Sequence, residues 1–204
     1  MGRTAVVDQT TPVDSGKGWR VVDIVVAAVL GVAVGLIFFV WNSPGYAWFK
    51  VMDAATPGLG GLAAGIWFLG GPLGGLIIRK PGAALFVELL GAAVSAILGN
   101  AWGVSTLYSG IAQGLGAELV FLALRYAKYG LPTAILSGVG AGVGAWFGEL
   151  FYSGNLALSF GFNAIYLACT VISGAILAGL LAWGLMKSLA RTGVLHRFAA
   201  GREA

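Results

Sequence analysis

Long apolar stretches alternate with short polar breaks along most of the chain. After a polar opening, residues 21–40 are interrupted only by Asp23, and about 20 apolar residues suffice for a helix to cross the hydrocarbon core of a bilayer. The same pattern recurs, predicting membrane helices at about 21–40, 58–78, 82–98, 107–127, 132–152 and 161–189. Residues 1–18 lack periodicity and are expected to be a disordered tail rather than a cleavable signal peptide; residues 191–204 form a second expected tail. Pro44, Gly45 and Pro57 break residues 41–57, read as a connection at the outer surface. Its Tyr46, Trp48 and Phe49 fit either a lid over a pocket or an interfacial aromatic belt.

Charge gives these helices a direction. With six crossings and the N-terminus inside, Arg3, Lys17, Arg20, Arg79, Lys80, Arg125, Lys128, Lys187, Arg191, Arg197 and Arg202 fall on the cytoplasmic side and only Lys50 falls outside. The expected fold is an all-α integral membrane protein, a six-helix bundle with both termini cytoplasmic. Composition agrees, since 58% of residues are hydrophobic and 10% charged. The 34 glycines point to closely packed membrane helices. Because the basic residues alternate with the spans, membrane lipid and not nucleic acid is the expected partner of the +4 net charge. A single Cys169 excludes an internal disulfide, and a single His196 gives no metal cluster. HExxH, GxSxG and P-loop patterns are absent, so no catalytic residue, cofactor or enzymatic activity is expected.

The polar positions inside the spans carry the functional question, because an intramembrane ionisable group is expensive to bury. Asp23 lies in a first helical turn, where a carboxylate complements the helix dipole. Ala27, Gly31 and Gly35 form a stripe of small residues that suits packing within the chain and docking of a second protein equally well. Gln113 and Glu118 are five positions apart, about 140° around a helix, so one can line a pocket while the other packs. Trp146 and Glu149 place an indole beside a carboxylate near an outer helix end, which fits a flat cation or an interfacial belt. Asn163, Tyr166 and Thr170 share a face of the last helix. Together these features fit a substrate-capture subunit that depends on partners for energy. The alternatives are a self-sufficient proton-coupled permease using Glu88 and Glu118, and a structural subunit without a ligand.

Five strings then carry a resemblance: RVVDIVVAAVL at 20–30, IIRKPGAA at 77–84, LGNAWG at 98–103, QGLGAELVF at 113–121 and RTGVL at 191–195. They resemble the YkoE family, S components of energy-coupling-factor (ECF) transporters of the ABC class. The resemblance implies capture of thiamine or its hydroxymethylpyrimidine precursor at a bacterial cell membrane. It also implies a transmembrane partner subunit, two cytoplasmic ATPases, and docking of that partner on Ala27, Gly31 and Gly35. Thiamine-binding S components generally hold the aminopyrimidine by a carboxylate and stack the thiazolium on indoles. Glu118, within a matching string, then ranks above Glu149 as the carboxylate, with Gln113, Asn100, Asn163 and Tyr166 as further polar candidates. Trp41, Trp102 and Trp146 are the stacking candidates, and Glu88 is expected to brace the bundle.

Overall fold

The first helix begins where Arg20 and Asp23 close a reciprocal cap. The Asp23 carboxylate accepts the Arg20 backbone N–H at 2.9 Å and the Arg20 guanidinium at 3.0 and 2.7 Å. A fully buried carboxylate is thereby paired within its own helix turn. In this computed structural model, which describes residues 18–202, the expected N-terminal tail lies outside the described residues apart from Gly18. Helix α1 spans Val21–Ala55, 35 residues, and runs directly through the stretch expected to be a connection. Pro44 removes one intrahelical hydrogen bond without ending the helix, and the surrounding aromatic residues pack along it. Local breakers were overridden by tertiary contacts.

The stretch expected as the second helix divides into a 3-10 segment, Leu59–Phe68, and helix α2, Gly70–Ile78. The 3-10 segment lies close against the last long helix. A methyl group on Gly61 would stand 3.0 Å from Cys169 and Tyr166, and the Ser173 hydroxyl donates to the Gly61 carbonyl at 2.8 Å. All nine residues of α2 are buried. Helices α3 (Ala83–Leu98), α4 (Ser105–Ala123) and α5 (Leu131–Tyr152) follow, the last with Pro in its first turn, where a missing N–H is tolerated. Helix α6 (Phe160–Ser173) continues through a π-helical stretch, Gly174–Leu180, into α7 (Leu181–Arg191), and α8 is the short Ala199–Arg202.

Among the described residues, four helical stretches are long and apolar enough to cross a membrane: Val21–Ala55, Leu59–Ile78, Leu131–Tyr152 and Phe160–Arg191. Helix α3 is a shorter apolar helix, and α4 carries more polar residues. The protein is all-helical over the described residues and is a multi-pass membrane protein.

Small residues set how the helices meet. The Ala27, Gly31 and Gly35 stripe, which the resemblance assigns to partner docking, packs on α3 of the same chain. A methyl group on Gly31 would lie 2.7 Å from Leu90, and one on Gly35 would lie 2.6 Å from Val94. Ala27, Gly31 and Gly35 are all buried. On α5, Gly140, Gly144 and Gly148 face α4 while Gly142 faces Thr170 of α6, so the helix is held closely on two sides. The described part of the expected C-terminal tail also differs: it folds back, with Leu195, Phe198 and Ala200 buried in the core cluster and α8 packed on α2 and α7.

Candidate functional site

Two buried carboxylates cap the starts of helices across the bundle. Glu88, on α3, is fully buried and accepts the Gly71 N–H at 2.7 Å, at the start of α2. Its second oxygen is reached by Gln113. The surroundings of the Gln113 side chain orient its amide nitrogen toward the Trp67 carbonyl at 3.0 Å and Glu88 Oε1 at 3.3 Å. Glu118, on α4, accepts the Gly82 N–H at 2.7 Å and the Ala84 N–H at 2.9 Å, the first donors of α3. Arg125 and Tyr126 both adopt left-handed backbone conformations, and this turn brings the Tyr126 hydroxyl back to donate to Glu118 Oε1 at 2.7 Å. Burial and the bond to Glu118 raise the Tyr126 pKa above its ordinary value, keeping that donor protonated. An exposed helix start has water for its N–H groups; here carboxylates from neighbouring helices supply the acceptors.

A cavity of about 370 Å³ opens at the other end of the bundle from these basic and tyrosine-bearing turns. That volume lies within the range of about 300–1,000 Å³ usual for small-molecule sites. Its walls come from the second half of α1, the 3-10 segment, α3, the starts of α4 and α6, and the end of α5. Aromatic rings run along it in contact. Trp67 meets Trp102 edge-on at 5.6 Å, Trp102 meets Tyr46 at 5.2 Å, and Phe162 stacks on Tyr166 at 5.7 Å. Neutral polar groups form the deeper side: the Trp67 indole donates to Asn42 at 2.9 Å, and the Asn42 amide donates to Ser95 at 3.0 Å. Two carboxylates line the same space. Glu149 is half-buried with the Tyr166 hydroxyl against it, while Asp53 accepts the Gly58 N–H at 2.7 Å. A second hollow of about 520 Å³ shares Asn42, Tyr46 and Trp102 with the first, so these three side chains stand between them.

The candidates from sequence divide accordingly. Trp102, Gln113, Glu149 and Tyr166 line the cavity. Glu118 does not, because its oxygens hold the start of α3 and Tyr126. Asn100 accepts the Trp102 and Gly103 N–H groups at 3.0 and 2.8 Å and so shapes the turn that carries Trp102. Trp41 donates to the Ala63 carbonyl at 3.1 Å outside the cavity. The Asn163 amide donates to the Asn155 carbonyl at 2.8 Å and ties down the preceding loop. Trp146 also lies outside the lining, its indole N–H buried without a hydrogen-bond partner. Asn42, Tyr46, Phe49, Asp53 and Trp67 line the cavity but were not singled out as ligand-binding residues. Four of these lie in residues 41–57, whose aromatic content was the available signal. Trp67 is a lone indole in a glycine-rich run and gave none.

An all-helical membrane bundle with an aromatic, acidic, water-reachable cavity at one end defines a membrane protein that captures small solutes. Residues 22–144 match the family described as ABC-type cobalt transport system, permease component. The chain is 40% identical over 192 residues, 92% of each chain, to YkoE of Bacillus subtilis (strain 168), named as a candidate HMP/thiamine permease protein. A solved structure described as an S-component of an ECF transporter superposes with a TM-score of 0.76 at 38% identity, covering 91% of this chain and 93% of that one. The chain belongs to this family of ABC-type permease components, and within it to the YkoE family of ECF-transporter S components.

Proposed function

We propose that this S component captures thiamine or its hydroxymethylpyrimidine precursor in the 370 Å³ cavity. The observation that carries the reading is the joining of Glu149, backed by the Tyr166 hydroxyl, to a continuous aromatic wall. A thiazolium is flat and cationic, so ring faces attract it and a nearby carboxylate neutralises it. The aminopyrimidine supplies both donors and acceptors, matching Asn42, Ser95 and Gln113 on the neutral side. In this reading the chain crosses a bacterial plasma membrane six times, with the N- and C-termini cytoplasmic and the cavity outside. It is not an enzyme, and it delivers its ligand with a transmembrane partner subunit and two cytoplasmic ATPases. The proton-coupled permease reading loses its support because Glu88 and Glu118 are engaged in ending helices.

Seven tryptophans, two of them lining the cavity, provide the readout. Intrinsic fluorescence of the purified chain is titrated with thiamine, hydroxymethylpyrimidine and, as control, riboflavin. Saturable quenching by thiamine or the pyrimidine, with none by riboflavin, is the expected result. Equal response to all three, or none, removes the assignment.

A further inference from the structure

We propose that the cavity selects its occupant by charge, taking an unphosphorylated heteroaromatic cation and rejecting its phosphate esters. The inference rests on the capture reading above and narrows its substrate class.

Two observations carry it. The first is the sign of the lining charge. Among the described residues, the cavity is lined by the carboxylates of Asp53 and Glu149 and by no Lys, Arg or His. Asp53 is held in place by the Gly58 N–H at 2.7 Å, and Glu149 by the Tyr166 hydroxyl, so both charges face the occupant from fixed positions. The exposed Lys50 lies 5.5 Å from the centre of the Tyr46 ring and is not part of the lining.

The second observation concerns donors. Phosphate is recognised by Arg or Lys, or by backbone N–H groups left open at a helix start. The helix start of α4 borders the cavity, but the Ser105 and Thr106 N–H groups donate to the carbonyls of Trp102 and Gly103, both at 3.2 Å. At the start of α6, the Phe162 N–H donates to the Ser159 hydroxyl at 3.2 Å. A phosphate entering this space meets two like charges and finds its natural donors already engaged.

The test compares thiamine with thiamine monophosphate on the purified full-length chain, by fluorescence or calorimetry. The ester is expected to bind at least about 100-fold more weakly than thiamine, the order expected for like charges a few Å apart in a half-buried site. Glu149→Gln should weaken thiamine yet narrow the thiamine-to-ester ratio to about tenfold or less, with Asp53→Asn acting in the same direction. The ratio does not depend on how much of each variant is folded. Ester affinity within about threefold of thiamine, or a ratio unchanged in both variants, overturns the proposal. Binding of hydroxymethylpyrimidine without thiamine also overturns the proposal and leaves the capture reading standing, whereas absence of binding by both removes the capture reading, and this inference with it.

Discussion

Glu118 and Glu149 carry the same carboxylate on adjacent packed helices, and their neighbours separate their roles. Four donors converge on Glu118: the N–H groups of Gly82, Ala84 and Leu85, and the Tyr126 hydroxyl. Glu118→Ala leaves the start of α3 without its acceptors and should lower stability by about 3 kcal/mol, read as an earlier thermal unfolding in detergent. Glu118→Gln keeps an acceptor, and its folded fraction should bind thiamine as the parent chain does. Glu149 has no backbone partner and faces open space, so Glu149→Gln should weaken thiamine binding by roughly 10- to 100-fold with little change in melting temperature. The resemblance ranks Glu118 above Glu149 as the ligand's carboxylate, and the proposed function takes them in the other order. Periodicity reports which face of its own helix a residue occupies, but not which foreign helix start arrives beside it. Residues 82–85 meet Glu118 only through the tertiary fold. Glu149 was legible as part of an outer-end Trp and Glu pair, although its companion Trp146 points elsewhere.

At the scale of elements, the helical stretches were legible because apolar length is a strong signal, and the start of the first helix and the limits of the fifth lie close to those expected. The exception was residues 41–57, where Pro44 and Gly45 marked a break that the folded chain does not make. Gly45 is buried against the Trp41 indole, leaving no space for a side chain there, and Pro44 sits on the exposed face. The glycine in this stretch is a contact and not a hinge. Phe38, Tyr46 and Phe49 of the cavity's aromatic wall therefore stand on one regular helix, which fixes their rings better than a mobile lid. The α1 and α3 seam makes a sharp prediction. Gly35→Leu must push Val94 or the Gly91 carbonyl aside and should destabilise the bundle by about 1–3 kcal/mol, whereas Val32→Leu on the exposed face of the same helix should be neutral. Unfolding midpoints of the two variants decide the matter. If the small-residue stripe instead faced a partner, the two substitutions would leave the isolated chain equally stable.

For the whole molecule, orientation is the property to test. In a Cys169→Ser background, a cysteine at Asn155, on the connection beside the cavity, should react with a membrane-impermeant maleimide added to intact cells. One at Lys128, in the opposite turn, should react only after the cells are opened. The reverse result inverts the topology and places the cavity on the cytoplasmic side.

The folded-back C-terminus bears on how such a chain is made. Helix α2 is among the first elements to leave the ribosome, yet its nine buried residues are covered in part by α7 and α8, the last. Leu195 and Phe198 complete the core beneath it. Membrane insertion can proceed helix by helix during synthesis, but the early, glycine-rich α2 has no finished surroundings until α7 and α8 have emerged. A chain that stopped before Leu195 would therefore strand one of its earliest helices rather than its latest.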